Sequence, residues 1–207
     1  MIMLKLKTLE SDLQQLDGFI SPNVKLEQYQ TPPRLAAQIL ISIHNDIEGK
    51  VVLDLGCGTG ILGLGCARLG ASRVIGVDID TTAIQVARQN ATEVGLSSDE
   101  ISFIIKDVRC LTASDIPPID TVVMNPPFGT KSEVNMDYEF VQKGLQFSKT
   151  VYSLHKSSTR DFWRTKVDWK VELLHSDIPF PITKVFKFHK REMEYVNVDL
   201  FRHVRVS

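Results

Sequence analysis

Four consecutive residues, Asn125, Pro126, Pro127 and Phe128, follow a short apolar run, Thr121–Met124. The Asn125 side-chain oxygen and the Pro126 carbonyl could each accept one hydrogen of an exocyclic ring amine, which would localise its delocalised lone pair. The prolines fix the carbonyl's direction because their φ is locked, and Phe128 could stack on a base, a contact of roughly 1 to 3 kcal/mol. Asn-Pro-Pro is also an ordinary turn sequence, so its surroundings decide the interpretation.

A glycine-rich loop follows an earlier apolar run, residues 51–53, and reads Asp54-Leu-Gly56-Cys-Gly58-Thr-Gly60. Glycines let a backbone turn sharply and approach a ligand closely, so the loop indicates a nucleotide-type binding turn. The spacing Gly58-x-Gly60-x-x-Gly63 also satisfies the dinucleotide pattern, and the loop alone therefore leaves NAD open.

Two acids stand at the ends of the next two apolar runs. Asp78 closes the sequence Gly76-Val77-Asp78, where its carboxylate could accept hydrogen bonds from both hydroxyls of a ribose. Asp107 follows the run Ile101–Ile105, and an aspartate there could equally cap the following turn. Asp78 indicates a ribose-bearing ligand but does not choose between cofactors.

The sequence Asp54-x-Gly56-x-Gly58-x-Gly60 resembles the first motif of the Rossmann-like methyltransferases, which bind S-adenosylmethionine there. The resemblance implies that Asp107 lies beside the adenine amino group and Val108 near the ring. The segment 27–31 resembles the stretch that folds over the methionine end of the cofactor in amino methyltransferases. The remaining expected cofactor contacts are Gln28, Thr31, Asp54, Gly56, Gly58, Thr59, Ile61 and Asp78. Without the resemblance, Thr31 is only an N-cap for the next helix.

Short apolar runs alternate with helical stretches from residue 51 onward. The runs are 51–53, 74–77, Ile101–Ile105 and Thr121–Met124, and the helical stretches are 61–69, 82–93 and 137–148. Nearly uniform apolar strands of this kind indicate a parallel sheet covered on both faces. Strand formers at 171–174, 184–188 and 195–201 predict additional antiparallel strands. We expect an α/β fold of the Rossmann-like class I methyltransferase type: a mostly parallel seven-stranded sheet with helices on both faces.

The first 45 residues are predicted to be helical. Leucines at helical spacing before Asp17-Gly18 predict an amphipathic helix over 3–16, and a second helix should begin near Pro32-Pro33 and end near His44-Asn45. With 207 residues, we expect a single domain over 1–207, with 1–45 as an amino-terminal helical cap.

Composition narrows the class of protein further. No apolar run approaches the ~20 residues of a membrane span, and the amino terminus lacks the features of a secretory signal. We therefore expect a soluble, intracellular protein with no membrane partner. Cys57, Cys66 and Cys110 lack the spacing of a zinc site or a disulfide framework, so we expect reduced, mostly buried thiols and no metal.

Charge is distributed unevenly along the chain. From Lys149 onward there are 12 Lys+Arg against 7 Asp+Glu, and before it 12 against 18. This asymmetry fits either a solvated mixed surface or one that faces a polyanion. In the second case, the cations near the carboxyl end would guide the polyanion towards Phe128, namely Lys184, Lys187, His189, Lys190 and Arg191. The interleaved Phe186 and Phe188 could stack on bases or face the core.

Four segments together closely resemble the methyltransferase-like protein five family: Glu27-Gln-Tyr-x-Thr31, Asp54-Leu-Gly-Cys-Gly58, Asn125-Pro-Pro-Phe-Gly-Thr-Lys131 and Tyr152-Ser-Leu-His-Lys-Ser-Ser-Thr159. The resemblance covers essentially the whole length, with Thr59 standing where some relatives have cysteine. It implies N6 methylation of an adenosine in small-subunit ribosomal RNA, in the nucleus (nucleolus), the cytoplasm or both. It also implies a heterodimer with a small zinc-binding activator subunit.

The run Ile101–Ile105 is a candidate for the interface with that partner. In the usual order of this fold the third strand lies at a sheet edge, and this run has none of the charges, prolines or bulges that normally protect such an edge. An apolar edge strand favours strand addition by another chain. The alternative is that the amino-terminal helix or a loop covers it.

Rival functions remain open from the sequence. An RNA guanine-N2 methyltransferase or a protein glutamine methyltransferase would use the same Asn-Pro-Pro-Phe site on another planar amine. An NAD-dependent oxidoreductase and an inactive binding subunit are more remote, because neither needs the acceptor motif. The basic carboxyl-terminal part favours RNA over protein as the substrate.

Overall fold

A computed structural model of the chain describes residues 2–128, 136–185 and 191–206. The helices are α1 Ile2–Leu13, α2 Pro33–Ser42, α3 Ile61–Arg68, α4 Thr81–Glu93, α5 Met136–Phe147 and α6 Arg160–Thr165. The strands are β1 Val51–Leu55, β2 Arg73–Asp78, β3 Ile101–Ile105, β4 Thr121–Met124, β5 Thr150–Lys156, β6 Lys170–Val185 and β7 Arg191–Val204.

The seven strands form one sheet in the order β3-β2-β1-β4-β5-β7-β6. Strands β1 to β5 pair in parallel, whereas β7 is antiparallel to both β5 and β6. The predicted mostly parallel, Rossmann-like sheet is therefore confirmed, and so is the position of β3 at its edge.

Side chains alternate between the two faces of the central strands, and helices cover each face. Val52, Val74 and Val123 share one buried cluster with residues of α2, α3 and α4. Their neighbours along the strands share the other cluster with residues of α5 and α6. This double covering is why the strands are apolar at almost every position.

The carboxyl-terminal third departs from the sequence prediction. β5 was missed because its Ser153 and His155 look like surface residues, although both are fully buried and hydrogen-bonded. The tail then forms two long strands instead of three short ones, since Lys184 continues β6. The remainder of the predicted strand, Phe186–Phe188, lies outside the described residues.

The amino-terminal segment packs on the α3 side of the sheet. α1 ends at Leu13, three residues before the predicted end, and Leu9 and Leu13 are buried with α2 and α3 residues. At Gly65 of α3, a Cβ would lie 2.4 Å from Leu40 Cδ1, so a glycine is needed for the close approach of α2.

A buried chain of polar side chains ties α5 to β5 and β7. Trp169 Nε1 donates to His203 Nδ1 at 2.9 Å, and Ser153 Oγ lies 2.8 Å from His203 Nε2 and 2.7 Å from His155 Nε2. His155 Nδ1 lies 3.2 Å from Asp137 Oδ2. Because an indole only donates, a neutral His203 donates to Ser153, which donates to His155, whose Nδ1–H meets Asp137. Burial lowers the pKa of both histidines, which favours these neutral forms.

Cys57 and Cys66 are buried, and Cys110 is exposed. Within the described ranges, no group of three or more His, Cys, Asp or Glu side chains could hold a metal ion. Over the same residues, no helix has both the length and the apolar character needed to cross a bilayer.

Candidate active site

The carboxyl ends of β1, β2 and β4 meet at one edge of the sheet, where open α/β folds bind their ligands. A cleft of about 820 Å³, including solvent at its mouth, opens there. Gly56, Gly58, Asp78 and Asn125 all line it. The fold therefore brings the predicted loop, the strand-end acid and the acceptor motif into one site.

The glycine loop adopts a backbone that other residues rarely take. The φ angles of Gly56, Gly58 and Gly60 are 70°, 52° and 91°, in the left-handed region that favours glycine. A Cβ on Gly58 would also lie 2.7 Å from the Phe19 ring. The loop is thus shaped for close packing of the amino-terminal segment above it.

Asp78 links the loop to the next turn. Its Oδ2 accepts from the Gly58 amide at 2.8 Å and its Oδ1 from the Asp80 amide at 2.9 Å. Burial raises the pKa of the carboxyl, although the amide hydrogen bonds oppose that shift. Since each carboxylate oxygen has about two acceptor positions, Asp78 retains capacity for the hydroxyls of a ribose.

Asp54 is almost fully buried beneath the loop. Its Oδ2 accepts from the Gly63 amide at 2.8 Å. Burial raises the pKa of this carboxyl to about 7, and the nearby Asp78 charge adds to the shift against the Gly63 hydrogen bond. Asp54 also lines an adjoining cavity of about 340 Å³, together with Thr31, Thr59 and Ile61.

Asp107 and Val108 lie in the wall of the larger cleft. Asp107 also caps the turn Val108–Cys110 by accepting from the Arg109 amide at 2.9 Å, and its Oδ2 lies 2.6 Å from Arg109 Nη2. The Arg109 side-chain hydrogen bonds lower the pKa of Asp107. Asp107 therefore both caps this turn, as the sequence allowed, and lines the cleft.

Gln28 and Thr31 are held by the chain itself. Gln28 Nε2 donates to Asp80 Oδ2 at 2.6 Å, and its Oε1 accepts from the Asn23 amide at 2.7 Å. The alternative in which Thr31 caps α2 is wrong, because Pro32 occupies the N-cap and no side chain caps that helix. Gln28 lines the larger cleft and Thr31 the smaller cavity.

Asn125 stands between the two cavities and lines both. Its Nδ2 donates to Thr31 Oγ1 at 3.0 Å. Its Oδ1 is buried and has no hydrogen-bond partner among the residues that the structure describes. Pro127 also lines the cleft, whereas Pro126 is buried. The end of β4 therefore presents a buried acceptor that no described residue engages, which is costly unless a ligand does so.

Phe128 differs from the expectation of a free stacking surface. Its ring is 7% exposed and packs edge-on against Phe180, with 5.7 Å between ring centroids. Lys156 Nζ lies 5.9 Å from the centroid of the Phe128 ring. Phe128 belongs to a buried cluster with residues of α2, β5, β6 and β7, so packing from distant strands withdraws it from the cleft.

Several cleft residues were not predicted. Phe19 lies over Gly58, Phe140 lies over Gly56, and Tyr29, Ile79 and Met136 add to the apolar lining. Ile79 directly follows Asp78, so its place in the sequence could have predicted that it lines the cleft. The sequence does not indicate that Phe140 lines the cleft, because its position depends on how α5 packs against the sheet.

Part of the basic carboxyl-terminal region is engaged within the chain. Arg160 Nε contacts Asp199 Oδ2 at 2.7 Å and its Nη2 contacts Asp177 Oδ2 at 2.8 Å. Arg202 pairs with Glu172 at 3.2 Å. The cations proposed to guide a polyanion include Lys187, His189 and Lys190, which lie outside the described residues, as do the interleaved Phe186 and Phe188 and residues Gly129–Lys131 of the acceptor segment. The side chains of Lys184 and Arg191 are likewise not described.

Similarity to known proteins extends over the whole chain. The profile of the methyltransferase small domain family matches residues 34–150. The chain is 43% identical over 205 residues to the rRNA N(6)-adenosine-methyltransferase METTL5 of Danio rerio, covering 96% of this chain and 98% of the relative. It is 40% identical over 209 residues to the rRNA N(6)-adenosine-methyltransferase Mettl5 of Drosophila melanogaster, covering 98% of this chain and 97% of the relative. The crystal structure of PH1948 from Pyrococcus horikoshii superimposes with a TM-score of 0.82 at 35% identity, over 98% of both chains.

Proposed function

Because the chain belongs to the family of rRNA N6-adenosine methyltransferases that includes METTL5, we propose that it methylates N6 of an adenosine in small-subunit ribosomal RNA, with S-adenosylmethionine as donor. One observation carries the proposal. Asn125 Oδ1 is a buried acceptor without a partner among the described residues, beside the glycine loop at the cleft. An amino group with two hydrogens to donate matches that acceptor.

The described residues fit S-adenosylmethionine on chemical grounds. The left-handed glycines allow a close backbone approach, Asp78 retains acceptor capacity for a ribose, and Asp107 and Val108 complete the wall of the cleft. When bound, the cofactor supplies a sulfonium methyl group that is already activated for transfer. The protein then needs mainly to position the two reactants.

The acceptor end of the site performs that positioning. Asn125 Oδ1 and the Pro126 carbonyl each accept one N6 hydrogen, which favours a tetrahedral nitrogen whose lone pair points to the methyl group. The burial of Asn125 Oδ1 strengthens this hydrogen bond, because the surrounding dielectric is low. The amine releases one proton to solvent only after it has received the methyl group, so no general base is required to start the reaction.

A labelling experiment tests the proposed reaction. The protein is incubated with methyl-labelled S-adenosylmethionine, purified ribosomal RNA and a protein fraction, and the labelled product is digested and identified by mass spectrometry. The proposal predicts N6-methyladenosine from small-subunit RNA. Label in N2-methylguanosine or N5-methylglutamine would instead support one of the rival acceptors.

We also propose that a small zinc-binding activator subunit pairs with β3. The strand is at the sheet edge, and in a parallel ladder alternate residues direct their backbone groups away from the neighbouring strand. Arg88 Nη2 already donates to one such group, the Phe103 carbonyl, at 3.1 Å, so an added strand would have to displace this contact. Ile105 is 43% exposed. An exposed apolar edge of this kind supports β-strand addition.

A further inference from the structure

We propose that Thr31 is a positioning residue for methyl transfer: its hydroxyl holds the Asn125 amide in the orientation that presents Oδ1 to the acceptor amine. The proposal rests on the function proposed above. It assigns Thr31 a role in the acceptor site in addition to the cofactor contact expected from the sequence.

The contact joins two buried groups from distant parts of the chain. Thr31 is 3% exposed, and its Oγ1 accepts from Asn125 Nδ2 at 3.0 Å across a separation of 94 residues. In the part of the chain that the structure describes, the other end of the same amide, Oδ1, has no partner. One end of the amide is therefore held by the protein, and the other end has unused acceptor capacity.

The orientation of this amide decides whether the site can accept an amine. The two ends of an asparagine amide have nearly the same shape, but one accepts hydrogen bonds and the other donates two. If Nδ2 faced the substrate, its N–H groups would oppose the N–H groups of the amine. The site would then repel the group that it has to hold, so the amide must be prevented from rotating.

Thr31 lies in a conformationally restricted part of the backbone. It precedes Pro32 and Pro33, and a residue before proline is restricted to extended conformations. Pro32, at φ −58° and ψ 138°, leads directly into α2, whose buried residues include Leu35 and Leu40. The hydroxyl is thus held in place by the core and not by a flexible loop.

The Thr31 hydroxyl can either donate a hydrogen bond to the Asn125 amide or accept one from it. The direction of its single proton therefore decides which end of the amide it holds. Thr31 lines the smaller cavity beside Asp54 and the glycine loop. An acceptor in that cavity, such as the carboxylate of S-adenosylmethionine, would take the proton and leave Oγ1 only as an acceptor towards Asn125. Occupancy of the cofactor site would then fix the amide before the RNA binds.

Three variants of the 207-residue chain test this inference. Thr31→Val keeps the shape and removes the hydroxyl, Thr31→Ser restores the hydroxyl, and Asn125→Ala identifies the Asn125 side-chain amide signals by their loss from the ¹⁵N–¹H spectrum. The measurements are that spectrum with and without S-adenosylhomocysteine, the dissociation constant of S-adenosylhomocysteine, and kcat and KM for RNA at saturating cofactor.

We expect Thr31→Val to lower kcat by at least about tenfold while KM for RNA changes by less than about threefold. The Asn125 amide signals should shift in Thr31→Val and return in Thr31→Ser, together with kcat. An unchanged kcat in Thr31→Val, or an effect confined to the cofactor dissociation constant, would overturn the inference.

The wild-type spectrum provides a test that does not depend on a variant folding. One Asn125 amide proton should be displaced from the position of a free side-chain amide and should move further when S-adenosylhomocysteine is added. Two signals at the free position in both states would overturn the inference. These spectra do not require turnover, so they test the role of Thr31 separately from the proposed function. The proposed function fails if the wild-type protein does not methylate ribosomal RNA.

Discussion

Asp78 Oδ2 accepts a hydrogen bond from the Gly58 amide at 2.8 Å, so the acid that ends β2 holds the loop that follows β1. The same carboxylate accepts from the Asp80 amide at 2.9 Å. Asp78 therefore fixes the shape of the glycine loop, and under the proposed function it would offer its remaining acceptor capacity to a ribose. A substitution here should affect both.

We expect Asp78→Ala to weaken S-adenosylmethionine binding by at least about a hundredfold, because the ribose hydroxyls and the Gly58 amide would all lose an acceptor, at about 1 to 3 kcal/mol for each buried group left unpaired. Isothermal titration calorimetry measures the dissociation constant. Asp78→Asn keeps the shape and one acceptor, so it should be intermediate. A dissociation constant unchanged in Asp78→Ala would contradict the cofactor assignment of this loop.

The pKa of Asp54 predicts a pH dependence of cofactor affinity. Burial raises this pKa to about 7, and the sulfonium and ammonium charges of S-adenosylmethionine favour the ionised carboxylate. Below pH 7 the free protein must therefore lose a proton when the cofactor binds. Affinity should weaken by up to about tenfold per pH unit as the pH falls from 7 to 6.

Asp54→Asn is the matched control for that titration, because its amide oxygen can still accept from Gly63. The variant should show a flatter affinity profile between pH 6 and pH 8. S-adenosylhomocysteine, which lacks the sulfonium charge, should also depend less on pH. Equal slopes for the wild-type protein and Asp54→Asn would exclude Asp54 as the titrating group.

The buried histidines predict a loss of stability in mild acid. Burial lowers the pKa of His155 and, more strongly, of His203, while the unfolded chain has values near 6.5. Below pH 6.5 the unfolded state binds more protons, so stability is complete above that pH and falls as the pH decreases. Below pH 6.5, the free energy of unfolding should fall by about 1.4 kcal/mol per pH unit for each histidine that stays neutral in the folded state.

Urea unfolding of the wild-type protein and of His203→Gln at several pH values between 5.5 and 7.5 checks this. The variant should be less stable at neutral pH, because Trp169 and Ser153 lose a partner, but its free energy of unfolding should fall less steeply with acid. Parallel curves for the two proteins would show that His203 does not titrate on unfolding.

The edge strand predicts where a partner binds. Ile105→Lys places a charge on the exposed apolar part of β3 and should abolish co-purification with the zinc-binding activator subunit, because the buried charge would lack a partner. Phe103 is a less suitable site, since its ring packs against Gly76. Leu174→Lys, on β6 at the opposite edge and 37% exposed, is the matched control and should leave the complex intact. Loss of the complex in Leu174→Lys alone would place the interface elsewhere.

The sequence was informative where local pattern determines structure. The uniform apolar runs predicted β1 to β4, with β3 and β4 at their observed bounds, because strands buried on both faces are apolar throughout. The glycine loop and Asp78 were likewise placed at one edge of the sheet, since parallel strands end there together. These predictions depend only on residues close in sequence.

What the sequence did not predict depends on contacts between distant residues. β5 contains Ser153 and His155, whose buried polar groups find partners in His203 and Asp137, respectively. Phe128 is withdrawn from the cleft by Phe180, and Thr31 is turned towards Asn125. None of these partners is close in sequence, so no local pattern reports them.

The most direct test of the proposed reaction compares the wild-type protein with Asn125→Ala, with small-subunit ribosomal RNA as substrate and N6-methyladenosine measured by mass spectrometry. We predict that the wild-type protein forms N6-methyladenosine and that the variant loses more than about a hundredfold of the rate, equivalent to roughly 2.7 kcal/mol of transition-state stabilisation. The variant should bind S-adenosylmethionine with a dissociation constant close to that of the wild-type protein. Activity of Asn125→Ala within about tenfold of wild type, or a wild-type product other than N6-methyladenosine, would contradict the account.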